Sequence, residues 1–176
     1  MELRASRSRG GIKDSKWFFR EMERREKCFR LGSVGQDMET TKFSKEEIRA
    51  RRIFRLAQII YDHWEEGSGM DTRYFDHPFI HDEYVVNGRS GSGGSYREHA
   101  VPRAYLRDQC LLLYARGADV DSVARILEGN LRIVLISGKE ADALNRSYKT
   151  EMPEGWRIGE GDPLERFHRL GIGVLP

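Results

Sequence analysis

The chain has 176 residues, of which 39% are hydrophobic and 33% are charged. This length suits one domain with an extension, and the apolar fraction is large enough for a core. Two cysteines without a CxxC pair exclude a disulfide framework and a cysteine-based structural zinc site. No apolar run approaches the roughly 18 residues of a membrane span, so we expect a cytoplasmic protein with no membrane partner.

The net charge of +2 hides an uneven distribution along the chain. Residues 1–55 hold 16 Lys/Arg against 9 Asp/Glu, whereas residues 56–176 hold 14 against 19. A basic leading segment favours a polyanionic partner, nucleic acid first, although a solvated charged surface explains it equally well. We expect a basic arm with a helix, from Trp17 to Leu31, over residues 1–42, and a single domain over residues 43–176.

The clearest helix begins after Ser44, which has Glu47 three residues later and so predicts a capping box. It extends to about residue 65 and has an apolar stripe for the core and a basic flank. The flank is either solvated surface or an edge that follows phosphates. It contains Arg49, Arg51, Arg52 and Arg55.

The middle of the chain predicts short strands among helices. Residues 84–86 and 96–101 are strand candidates, and the Gly/Ser-rich residues 87–95 between them predict a hairpin with a long loop. Helices follow over 103–116 and 121–127, then a strand over 131–136, and Ser137 caps a helix to about residue 145. The predicted fold is α+β, mostly helical, with a small sheet.

The pair Glu98-His99, followed by Ala100-Val101-Pro102, is the main chemical signal. Neighbours in a regular strand point to opposite faces, so a shared site needs a break at Ala100 to Pro102. His77 and His81 lie near two aspartates, but Pro78 prevents a helix that would place both rings on one face. They are therefore read as loop residues rather than as a metal site.

From Tyr84 onward the chain resembles the HNH, or ββα-metal, nuclease family. That family has an acidic residue, His, two apolar residues and Pro, then Asn-Leu before a strand and a helix with a metal-binding residue. Glu98 to Pro102 match the first element, Asn130-Leu131 match the second, and residues 137–144 stand where the third belongs. The resemblance covers about residues 83–146, with an unusually long helical insertion between the first two elements.

The resemblance implies a role for each matching residue. His99 would be the general base, and Glu98 would bind Mg²⁺ or another divalent metal. Asn130 would either orient the His99 ring or hold the loop by hydrogen bonds to the backbone. Arg97 and Arg103 would hold neighbouring phosphates of a nucleic-acid substrate, and Arg49 and Arg52 would follow the backbone further away.

The third element departs from the family pattern. Its metal-ligand position falls near Ala141, which has no donor, and Glu140 or Asp142 would have to substitute. Glu140 also fits a capping box with Ser137.

The sequence therefore predicts a DNA-binding nuclease or nuclease-derived protein. The alternative is a non-catalytic protein of phage or mobile-element origin that binds a protein partner and inhibits a host nucleic-acid or defence complex. A helix-turn-helix regulator using residues 103–128 ranks last, because its second helix carries only Arg125 as a basic residue.

Overall fold

The structure is a computed structural model that describes residues 42–176. The basic arm and helix predicted over residues 1–42 lie outside the described residues, apart from Lys42. No helix within residues 42–176 combines the length and the apolar character needed to cross a membrane.

Six helices and four strands are found in the described part of the chain, together with a short 3₁₀ turn at Thr72–Phe75. The helices are α1 (Lys45–Glu65), α2 (Asp82–Val85), α3 (Arg103–Ala115), α4 (Val120–Asn130), α5 (Gly138–Tyr148) and α6 (Glu165–His168). The strands are β1 (Val86–Ser90), β2 (Tyr96–His99), β3 (Ile133–Ile136) and β4 (Val174–Leu175).

The two predicted capping boxes are present. Ser44 accepts a hydrogen bond from the Glu47 amide while Glu47 accepts one from the Ser44 amide, and Ser137 and Glu140 repeat this arrangement at α5. Each box satisfies backbone donors that the first turn of a helix leaves unpaired. These local interactions explain why both helices begin where the sequence predicts.

The sheet has the order β2-β3-β1-β4, so β1 and β2 do not form the predicted hairpin. Strand β3 lies between them, antiparallel to β2 and parallel to β1. Ile133, Val134 and Ile136 of β3 are all buried, and a strand that is apolar on both faces belongs at the centre of a sheet. The Gly/Ser-rich connection is long enough to let β2 pass to the far side of β3.

Each face of the sheet has its own apolar core. One core contains Ile133 with Leu56, Ile60, Leu106 and Leu127 from helices α1, α3 and α4. The second core contains Val134 and Ile136 with residues of α5 and α6. The residues from these two helices are Ala141, Leu144 and Phe167.

The predicted fold class is confirmed: the described chain is α+β, mostly helical, with a small mixed sheet. Strands β2 and β3 are antiparallel neighbours, the helices α3 and α4 are inserted between them, and α5 follows β3 directly. This is the predicted order of strand, helical insertion, strand and helix. We refer to β2, β3 and α5 as the ββα-like core.

Candidate functional site at the end of strand β2

Strand β2 directs Glu98 and His99 toward different cores. Glu98 is paired with Val134 and His99 with Ile133, and these two β3 residues belong to the two opposite cores. The strand stays paired past His99, because the Ala100 amide donates to the Arg132 carbonyl at 2.8 Å. The predicted bend at Ala100 to Pro102 therefore begins too late to bring the two side chains together, and that expectation is wrong.

Glu98 is bound by a buried arginine from the far end of the chain. Nη2 of Arg166 donates to Oε1 of Glu98 and to the His99 carbonyl. Nε of Arg166 donates to the Ala100 carbonyl at 2.8 Å, and Nη1 donates to the Tyr148 carbonyl at 3.1 Å. The Arg166 side chain is only 1% exposed, so this network joins β2, α5 and α6 in the interior.

Glu98 compensates the buried positive charge of Arg166. Burial lowers the pKa of the Arg166 guanidinium, and the charge and hydrogen bond of Glu98 oppose that effect. A buried guanidinium with a carboxylate and carbonyl acceptors is compensated in both charge and hydrogen bonding. Arg166 could not be recognised from the sequence, since an arginine beside Glu165 in a short terminal helix has the pattern of an ordinary surface residue.

His99 lies on the other face, beside Asp76. Its Nε2 atom is 3.3 Å from Oδ1 of Asp76, at ion-pair distance but outside hydrogen-bonding geometry. The His99 side chain is 10% exposed. Asp76 follows the 3₁₀ turn, 23 residues before the histidine, and the sequence analysis did not associate the two.

Asp76 is the centre of a cluster of positive groups. Arg103 donates to Oδ2 of Asp76. Nη2 of Arg97 lies 3.5 Å from Oδ1 of Asp76 and 2.5 Å from Oδ1 of Asp82. Burial acts to raise the pKa of the Asp76 carboxyl, but contact with His99, Arg103 and Arg97 outweighs burial and keeps this pKa below its ordinary value. The predicted phosphate-binding arginines Arg97 and Arg103 are therefore already paired with carboxylates of the chain itself.

Asn130 does not reach His99. The residue is buried at the end of α4, and its Nδ2 donates to the Ile126 carbonyl at 2.8 Å. Its Oδ1 has no hydrogen-bond partner among the described residues. Of the two predicted roles, the contact that would orient His99 is not found among the described residues. Asn130 does bond to a backbone carbonyl, but that carbonyl belongs to its own helix rather than to the loop.

Glu140 is occupied at the start of α5. Its Oε2 accepts hydrogen bonds from the Ser137 amide at 2.8 Å and from the Ser90 hydroxyl at 2.7 Å. Burial acts to raise the pKa of the Glu140 carboxyl, but hydrogen bonds from Ser137 and Ser90 outweigh it and lower this pKa. Ala141 is packed in the second core. The capping role of Glu140 is present, and Glu140 is not joined to Glu98.

The residues present do not fit the divalent ion that the resemblance implies. Within residues 42–176, no three His, Cys, Asp or Glu side chains come together in a group that could hold a metal ion. Glu98 is bound to Arg166, Glu140 is bound to serines, and Ala141 has no donor atom.

The remaining predicted residues lie on other surfaces. Arg49 donates to the Glu128 carbonyl at 2.7 Å, and Arg52 donates to the Phe79 carbonyl at 3.2 Å. The His77 and His81 rings do meet, with centroids 4.3 Å apart, although Pro78 prevents the helix that would align them. Both histidines lie in a loop, as predicted, and among the described residues no group of three possible metal ligands includes them.

The comparisons with known proteins add no family to this description. No protein-family model matches the chain, no curated protein is significantly similar in sequence, and no solved structure matches its fold. The site is therefore interpreted from its own geometry.

Proposed function

We propose that this chain is a nuclease-derived protein that binds nucleic acid and does not hydrolyse its phosphodiester bonds. The observation that carries the proposal is the pairing of Glu98 with Arg166. The HNH resemblance assigns to Glu98 the binding of a divalent ion, and the guanidinium supplies the positive charge at that carboxylate instead. The ββα-like core is thus closed by a side chain of the chain itself.

Displacing Arg166 by a metal ion would be costly. The guanidinium would lose its carboxylate partner Glu98 while remaining in the interior, where its other acceptors, the carbonyls of His99, Ala100 and Tyr148, carry no charge. An uncompensated buried charge destabilises a protein by about 3–5 kcal/mol. A single carboxylate gives a hydrated Mg²⁺ ion too little in return, since Mg²⁺ gives up its water reluctantly.

The position of His99 supports the same conclusion. A general base must lie within hydrogen-bond reach of the water that it activates. His99 is nearly buried, its Nε2 is directed at Asp76, and it faces the core opposite to that of α5. The imidazole therefore contributes to the Asp76 cluster rather than to a cleft shared with Glu98.

Nucleic acid is the proposed partner because of the charge of the leading part of the chain. Residues 1–55 carry 16 Lys/Arg against 9 Asp/Glu. In the described portion of this segment, Arg55 is exposed on α1 and forms no ion pair with another residue of the range 42–176. Phosphate contacts by such side chains supply sequence-independent affinity that falls as salt increases.

The test measures cleavage and binding with the same full-length protein. Supercoiled plasmid is incubated with the chain and Mg²⁺ or Mn²⁺, and binding to a labelled oligonucleotide is followed by fluorescence anisotropy at low and high salt. We expect salt-dependent binding without nicking, and no change in the plasmid for the His99→Ala variant.

Two outcomes contradict the proposal. Metal-dependent nicking that is lost in His99→Ala would mean that the core is catalytic. Absence of binding to any polynucleotide at low salt would remove the nucleic-acid partner and favour the alternative, a protein that inhibits a host complex by binding it.

A further inference from the structure

Helix α1, the 3₁₀ turn and the loop that follows this turn form a surface strip of aromatic and arginine side chains. The strip consists of Arg52, Arg55, His63, Tyr74 and Phe79, and we call it the aromatic–arginine strip. Arg52 joins its two parts, because its Nη1 donates to the Phe79 carbonyl at 3.2 Å. The His63 and Tyr74 rings meet with centroids 5.7 Å apart, which joins the parts at a second point.

The aromatic part of the strip is a partly exposed pair of rings. The Tyr74 and Phe79 ring centroids are 4.6 Å apart with an interplanar angle of 49°. Phe79 remains 40% exposed, so part of its ring is open to solvent. The Phe79 amide donates to the Asp76 carbonyl at 3.0 Å, and this bond holds the ring at the surface.

The cationic part of the strip runs along α1 beside these rings. Arg55 follows Arg52 by three positions, so the two side chains are neighbours on the helix surface. Arg55 is exposed and lies on the solvent side of Arg52, whereas Leu56 on the other side is buried. Asp62, further along α1, accepts a hydrogen bond from Gln58 and limits the cationic part at that end.

We propose that the aromatic–arginine strip binds single-stranded nucleic acid, with a base stacked on Phe79 and phosphates on Arg55 and Arg52. This inference rests on the proposed function and specifies its substrate class. An exposed aromatic ring offers a stacking surface for any unpaired base, and adjacent arginines follow the backbone. In a duplex the bases stack on one another, so Phe79 has no base face to contact.

The experiment compares two ligands and two pairs of variants of the full chain. The ligands are a labelled 20-nucleotide oligothymidine and a labelled 20-base-pair duplex, measured by anisotropy at the same salt concentration. Phe79→Ala is paired with Leu112→Ala, since Leu112 is also 40% exposed but lies on α3 outside the strip. Arg55→Glu is paired with Arg146→Glu, which changes an exposed arginine on α5, a helix of the opposite core.

We expect the oligothymidine to bind more tightly than the duplex. Phe79→Ala should weaken oligothymidine binding about tenfold, as the loss of one stacked base does, with little change for the duplex. Arg55→Glu should weaken it by a similar factor and reduce its salt dependence. The control variants should bind like the unmodified chain, and circular dichroism should show that all four variants are folded.

Each contrary result has a distinct meaning. Tighter binding of the duplex, or equal losses for Phe79→Ala and Leu112→Ala, would overturn the single-strand inference while leaving nucleic-acid binding intact. No binding of either ligand would overturn both this inference and the proposed function.

Discussion

Two ionic clusters begin on neighbouring residues of strand β2 and have opposite environments. The first, Glu98 with Arg166, is closed in the interior, where the arginine is 1% and the glutamate 15% exposed. The second, Asp76 with His99, Arg97 and Arg103, opens to the surface, where Arg97 and Arg103 are 37% and 38% exposed. Both clusters link segments that are remote in sequence, but only the first is largely shielded from water.

This difference shows how a motif of two adjacent residues can be divided between two structural tasks. In a cleft, an acidic residue and a histidine would act together on one ligand. Here the strand assigns Glu98 to the core of α5 and α6 and His99 to the core of α1, α3 and α4. We call the pair of Glu98 and Arg166 the closed cluster, and Asp76 with its three partners the open cluster. The closed cluster should contribute more to the free energy of unfolding. The contribution of the open cluster should be smaller and should depend more on pH.

The largest effect on stability is expected when the arginine of the closed cluster is replaced. Arg166→Met should lower the free energy of unfolding by about 3–5 kcal/mol, because Glu98 and three carbonyl groups lose their donor. Arg166→Lys should restore little, since an ammonium group cannot reproduce the planar fork. Urea unfolding followed by tryptophan fluorescence measures both changes. Arg169→Met, which removes an exposed pair with Glu165, is the matched control and should cost less than about 1 kcal/mol.

A smaller effect is expected from the centre of the open cluster. Asp76→Asn should cost about 1–3 kcal/mol at pH 7, because His99, Arg103 and Arg97 lose their shared carboxylate. Asp108→Asn, which changes an exposed aspartate of α3, should cost much less. A cost for Asp76→Asn that exceeds that of Arg166→Met would reverse the proposed ranking of the two clusters.

The open cluster also predicts the direction of a pH effect. The folded-state pKa of Asp76 is lower than its ordinary value of 3.8, so the carboxylate's contribution is complete above that value. It should be lost as the pH falls through the lower folded-state pKa. Urea unfolding at pH 7 and at pH 3 should therefore show a large difference between the unmodified chain and Asp76→Asn at pH 7 and a smaller one at pH 3. A difference that grows toward acid would contradict this assignment.

A substitution of Glu140, at the start of α5, tests both its capping interaction and its predicted role as a metal ligand. Glu140→Gln should cost about 1 kcal/mol, because the capping interaction at Ser137 and the bond from Ser90 are weakened. Calorimetry should show no specific Mg²⁺ binding to either the unmodified chain or the variant. Asp142→Asn on the exposed side of the same helix is the control for loss of charge. A specific loss of Mg²⁺ binding in Glu140→Gln would restore the predicted ligand role.

The smallest effect is expected at the rim of the open cluster. Arg97→Gln should cost less than about 1 kcal/mol, since its pairs with Asp82 and Asp76 are partly exposed and screened by solvent. The cost should decrease further as salt is added. Thermal unfolding at two salt concentrations measures this, and a cost as large as that of Asp76→Asn would show that the rim and the centre act as one unit.

The parts of the fold that depend on local interactions could be predicted from the sequence. Ser44 with Glu47 and Ser137 with Glu140 mark helix starts by contacts three residues apart, and the apolar run Ile133 to Ile136 marks a strand. The order of the strands could not be predicted in the same way. A Gly/Ser connection is compatible with a hairpin of β1 and β2. In the assembled sheet, however, β3 is buried on both faces and lies between these two strands.

The tertiary structure kept strand β2 regular past His99, where the Ala100 amide is paired with the Arg132 carbonyl. The sequence by itself determined only that Glu98 and His99 are neighbours on a strand, whose side chains point to opposite faces as long as the strand is regular. It did not determine which groups they meet. Arg166 lies 68 residues from Glu98, and Asp76 lies 23 residues from His99, so no local spacing signals either pair. The tertiary structure decided both pairs, because a charge moved out of water must find its compensating group wherever the packed elements bring one within reach.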